Sequence, residues 1–140
     1  MANIRQSILV RTDLNLPKGL SEAQVAHIHF EMFRKLLLND ITKSQLDNDF
    51  SVKVTIDKSI LEWLDSPYIF VHGVPNMEVL RHFITQANTL KVPYTEWRDT
   101  IYVKVSETQK IVVEDCLVGV AFLGDSDKIR AIIGDLPLLG

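Results

Sequence analysis

Hydrophobic positions change their period several times along the chain, and each change marks an element. Ser7-Ile8-Leu9-Val10 is a short apolar run bounded by Arg11-Thr12-Asp13, the pattern of a buried strand that ends in a loop. Asn15-Leu16-Pro17-Lys18-Gly19 then interrupts regular structure, because Pro17 lacks an amide donor and Gly19 tolerates backbone angles closed to other residues. Beyond Ser21, a good helix cap, Val25, Ile28, Met32 and Leu36 recur at helical spacing, joined by Ala26, Phe30, Phe33 and Leu37. Gln24, His27, Glu31, Arg34 and Lys35 supply the polar stripe, so an amphipathic helix is predicted to about Leu38.

The polar stretch 39–49 reads as a connection, and the alternation of Phe50, Val52, Val54 and Ile56 with polar residues predicts a half-exposed strand. Asp57 is placed to cap a short helix through Trp63 and Leu64, stopped by Ser66-Pro67. Tyr68 to Val71 is a second buried strand, and Asn76 caps a second amphipathic helix whose inner face carries Val79, Leu80, Phe83, Ala87 and Leu90. Val92 to Trp97 is extended. Ile101–Val105 and Ile111–Val113 read as a hairpin turning at Ser106 to Gln109. Leu117–Leu123 is the most apolar strand, weakened only at Gly119, and Asp125 or Ser126 caps a last helix ending at Gly134. This strand–helix rhythm predicts one α/β domain over residues 1–140: a mixed, mainly parallel sheet between helices, an α/β/α sandwich.

Composition narrows the function classes. The single cysteine, Cys116, excludes an internal disulfide framework and a multi-cysteine zinc site, and fits a reducing cytoplasmic setting. Arg5 and Arg11 bracket too short an apolar run for a signal-peptide core, and no run approaches the roughly 20 residues of a membrane span. With 15 basic against 18 acidic residues, net -3, a protein that coats nucleic acid by bulk charge is excluded. Residues 1–45 nevertheless hold 6 basic and 4 acidic residues, so a few local phosphate contacts are compatible with that region.

Motifs for familiar chemistry are sparse. His27 and His29, two apart on a helix, point away from each other, and the His27–Glu31 pair lacks a third ligand, so no metal and no cofactor are expected. There is no nucleophile elbow and no phosphate-cradling glycine loop. Cys116 follows Glu114-Asp115, carboxylates that would raise its pKa if they were close; a buried or strand-edge thiol is expected.

Three blocks carry a resemblance. The first runs from Ile8 to His27 and contains Val10-Arg11-Thr12-Asp13-Leu14, Lys18-Gly19-Leu20 and Ala23-Gln24-Val25-Ala26-His27. The second is Val92 to Asp99, and the third is Ile132-Ile133-Gly134-Asp135-Leu136-Pro137-Leu138-Leu139. In order and spacing they resemble the type II peptidyl-tRNA hydrolases. That family carries Val-Arg-x-Asp-Leu, Lys-Gly-Lys and Ala-Ala-Gln-x-x-His, an Asp-Ala-Gly-Arg-Thr motif, and a Thr-Gly-x-Leu-x-Leu-Leu ending. Here Leu20 replaces the second lysine of Lys-Gly-Lys, and Thr100-Ile101-Tyr102 follows Asp99 in place of Ala-Gly-Arg.

The resemblance implies hydrolysis of the ester between a peptide and the 3′ ribose of tRNA, by a homodimer. It assigns Asp99, His27 and Lys18 to catalysis and Gln24, Arg98 and Thr108 to substrate binding, with Thr108 brought in by an insertion at the hairpin. Asp99, alone or with His27, would orient or deprotonate water, and Lys18 would stabilise negative charge or hold a phosphate. The alternative is an offshoot that keeps the fold and binds a small molecule or protein without catalysis. The hairpin residues Ile101, Tyr102 and Val103 need covering under either, for which a dimer interface is one solution.

Overall fold

The structure is a computed structural model, and it describes residues 3–38 and 56–139. The connection expected over 39–49 and the strand expected over 50–55 lie outside the described residues. The elements run β1 (Ile4–Arg11), α1 (Lys18–Leu38), α2 (Lys58–Asp65), β2 (Ile69–Val74), α3 (Met77–Leu90), β3 (Tyr94–Lys104), β4 (Lys110–Asp125) and α4 (Ser126–Ile133). The sheet order is β2-β1-β4-β3.

Helices α2 and α3 begin where their caps predict. The Asp57 carboxylate accepts from Ser59 N at 2.8 Å, and the Asn76 side chain accepts from Val79 N at 2.9 Å, each satisfying an amide that has no partner in the first turn. Asp125 is the cap of α4 and Gly134 its end. Helix α1 starts three residues before the expected cap, since the Pro17 carbonyl already accepts from Ser21 N at 2.9 Å. Its buried stripe is centred on Ile28 and Met32; Ala26 and Phe30 sit about 160° and 200° round the helix from Ile28 and face outward.

The helix-flanked mixed sheet is as expected, but its balance is reversed. Only β1–β2 is parallel; β1–β4 and β3–β4 are antiparallel. The cause is the length of the hairpin arms. The extended segment at Tyr94 and the strand at Ile101 are one strand, as are the segments 111–113 and 117–123. Two strands joined by the short turn 105–109 pair antiparallel, and β4 then carries that direction to the centre of the sheet.

The sheet separates two cores. Ile8, Val10, Val118, Ala121 and Leu123 pack under α1 and α2 with Ile28, Met32 and Trp63. Leu9, Leu117, Val120 and Phe122 pack under α3 and α4 with Leu80, Ile84, Ala87, Ile129 and Ile132. The three layers are the expected α/β/α sandwich. Gly119 has a specific task in it: a Cβ there would lie 2.4 Å from the Leu9 carbonyl oxygen and 2.6 Å from Ile28 Cδ1, so only glycine lets α1 settle on the β1–β4 pair.

Candidate active site

The C-terminal end of β1, the first half of α1 and the middle of β3 meet on one face of the sheet. Alternation along β3 sends Thr95, Trp97 and Asp99 toward α1, while Tyr94 packs on the other side. On α1, Leu20, Gln24, His27 and Glu31 follow four-, three- and four-residue steps and share one stripe. Gln24, only 3% exposed, joins the two elements: its Nε2 donates to Asp99 Oδ2 at 3.0 Å and its Oε1 accepts from Trp97 Nε1 at 2.6 Å. The second carboxylate oxygen of Asp99 accepts from Thr100 N at 2.8 Å. The His27 ring lies flat on Trp97, 5.0 Å between centroids with an 11° interplanar angle.

Asp99 is therefore oriented through both oxygens while remaining half-exposed, and each oxygen retains a lone pair for water. Directly across the ladder from Asp99 is Cys116. Arg11 reaches the same place from β1: its Nη1 donates to the Leu117 carbonyl at 3.1 Å and lies 3.6 Å from Cys116 Sγ, while Nε and Nη2 grip Asp13 at 3.0 and 2.8 Å. The Asp13 carboxylate holds the Arg11 guanidinium pKa above its ordinary value. Burial pushes the Cys116 thiol up, against the pull of Arg11, so this cysteine is a packed thiol and not a nucleophile. Asp13 is the acidic neighbour that adds to that rise, in place of the expected Glu114 and Asp115.

Of the residues singled out from sequence, the fold brings together Gln24, His27 and Asp99. It leaves three apart. Lys18 stands 92% exposed at the start of α1, with the Glu22 carboxylate at 4.0 Å as its partner, because six residues of helix turn it off the Gln24 stripe. Arg98 alternates away from Asp99 and is taken up by Glu96 at 3.6 Å and Asp115 at 3.9 Å. Thr108 lies in the exposed hairpin bend, beyond Lys104, and five strand residues at roughly 3.3 Å each separate Asp99 from Lys104.

Sequence reasoning passed over Trp97 and Arg11 as members of the cluster. Trp97 was legible only as a strand aromatic, whereas Arg11 and Asp13 stood in the first block of resemblance. The two histidines also separate: His29 turns to Gln6, with Nδ1 2.7 Å from Oε1, and Glu31 pairs with Arg34 in place of His27. Among the described residues no helix is long and apolar enough to cross a membrane.

Comparison with known proteins places these features in a lineage. No curated protein matches the chain. A solved structure described as a protein of unknown function from Agrobacterium tumefaciens superposes with a TM-score of 0.56 at 12% identity, covering 100% of both chains, a likeness of fold. The family model described as Peptidyl-tRNA hydrolase PTH2 matches residues 4–139. That span takes in every strand and helix described above, and the chain belongs to the peptidyl-tRNA hydrolase PTH2 family.

Proposed function

We propose that the protein is a divergent peptidyl-tRNA hydrolase of the cytoplasm, cleaving the peptide–tRNA ester at the Asp99 cluster. The observation that supports this most is the doubly held Asp99 carboxylate, fixed by Gln24 and Thr100 beside an exposed imidazole. Ester hydrolysis needs a positioned water, a proton acceptor and donors for the developing oxyanion. Asp99 orients water and takes its proton; His27, one turn along α1, passes a proton to the departing ribose oxygen. The stacked His27–Trp97 pair offers the terminal adenine a flat surface. Gln24 Nε2, which gives one proton to Asp99, keeps a second as an oxyanion donor, whereas Lys18 faces solvent.

Leu20 favours a second reading. It lies on the Gln24–His27 stripe, 42% exposed, where the resemblance expects a lysine, and it brings no charge for phosphate or oxyanion. A binding module without turnover is the outcome if that loss is decisive. Incubating the protein with peptidyl-tRNA separates the two. Hydrolysis that falls by about a hundredfold or more in Asp99→Asn, with an unchanged melting temperature, supports the enzyme. Equal background release by both proteins removes it. The reading includes a homodimer in which a second copy covers Tyr102, Val105, Ile111 and Val112, all exposed on the hairpin arm. A monomer in sedimentation at micromolar concentration would remove that part.

A further inference from the structure

At the opposite end of the sheet from Asp99, β1 begins with a buried cation that no carboxylate pairs with among the described residues. Arg5 is only 7% exposed. Its Nε donates to Ser7 Oγ at 2.9 Å, its Nη2 to His72 Nε2 at 3.3 Å, and its plane covers the Phe70 ring at 4.5 Å. To accept from Arg5, His72 must be the neutral tautomer, with Nδ1–H donating to the Leu136 carbonyl at 3.0 Å. All these partners are neutral. Among the described residues no carboxylate forms an ion pair with Arg5 or with Arg130, although Asp125 and Asp127 lie close by in sequence to Arg130.

The two guanidiniums line one cavity of about 250 Å³ together with Asn3, Tyr68, Phe70 and Ser126. Desolvation, and after it the charge of Arg130, lowers the Arg5 pKa. Burying an arginine without an anion is costly, and a dianion entering this cavity would offset that cost at both residues. Tyr68, 60% exposed, lines the same cavity. It and Asn3 are shared with a second cleft of about 220 Å³, lined also by Trp63, Glu62, Ser59 and Ser66. A flat organic group leaving the arginine cavity across Tyr68 would meet an acceptor in Glu62.

We propose that this paired cleft binds a mononucleotide, its phosphate between Arg5 and Arg130 and its base over Tyr68 toward Glu62. Arg5 and Arg11 stand six strand residues apart, roughly 20 Å, so this site is separate from the Asp99 cluster. The test is calorimetric titration of the full chain with adenosine monophosphate, inorganic phosphate and adenosine. Adenosine monophosphate is expected to bind more tightly than phosphate, and adenosine not at all. Arg130→Gln, at an exposed position, is expected to weaken the nucleotide by about tenfold or more without lowering the melting temperature. Tyr68→Ala is expected to reduce nucleotide affinity and leave phosphate affinity unchanged. Hydrolysis at Asp99 is expected to be the same in Arg130→Gln, so the two sites fail independently. No binding of either phosphate compound at millimolar concentration, or nucleotide affinity unchanged in Arg130→Gln, overturns the proposal.

Discussion

Replacing Gln24 with methionine tests whether one amide both clamps α1 to β3 and orients Asp99. Methionine has nearly the shape of glutamine, so the substitution removes two hydrogen bonds while leaving little cavity. Losing the donor to Asp99 removes a bond to a charged acceptor, about 1.5–3 kcal/mol, and the Trp97 indole N–H loses its acceptor, about 1–3 kcal/mol. Trp97 and Asp99 are half-exposed, so water recovers part of this, and a net loss of about 2–3 kcal/mol is expected. At roughly 3 °C per kcal/mol for a chain of this size, the melting temperature should fall by about 6–9 °C. With Oδ2 released, the carboxylate loses its fixed angle, and hydrolysis of peptidyl-tRNA should fall by about tenfold or more at temperatures where the variant is fully folded. Thermal melting and single-turnover ester cleavage read the two effects separately. A melting temperature within about 2 °C of the parent would refute the clamp, and an unchanged rate in a destabilised variant would refute the orienting role.

Leu20→Lys should restore a cation on the Gln24–His27 stripe at little stability cost, raising tRNA affinity and steepening the log affinity against log salt slope by about 0.7–0.9; an unchanged slope would show that phosphates do not approach this stripe. Gly119→Ala forces a methyl group against the Leu9 carbonyl and Ile28, so a loss of about 3 kcal/mol or more is expected in urea unfolding, and a neutral result would contradict the close approach. Burial holds the pKa of His72 and of His29 below the ordinary value of 6.5, so the unfolded chain binds more protons just below that pH. Stability should then be full above about pH 6.5 and decline as pH falls toward the lowered values. His72→Gln, which keeps an acceptor for Arg5, should flatten that decline, and a urea midpoint constant from pH 8 to 5 in the parent would refute it.

Local chemistry was readable along the chain. Asp57, Asn76 and Gly134 mark helix ends because their side chains, or the lack of one, satisfy or release backbone groups within a few residues. Apolar runs at Ile8–Val10 and Leu117–Leu123 announce central strands because both faces of such strands are buried. The blocks around Arg11, Gln24 and Asp99 pointed to the family and to three residues that the fold brings together. Strand length was another matter. Polar residues such as Glu96, Lys104 and Lys110 belong to strands because a partner across the ladder takes up their backbone groups, and that partner is invisible to local periodicity.

What only tertiary structure decided is which polar side chains share a space. Gln24 meets Asp99 across 75 residues of sequence, while Lys18, six residues from Gln24, is carried off the stripe by helical rotation. Arg5 looked like the flank of a short strand; the return of β2 and the start of α4 turn it into one wall of a cavity. Sequence spacing sets where each side chain leaves its own element. The sheet order and the seating of α1 over Gly119 set what it meets there, because the energies that fix them come from burial and pairing between distant segments.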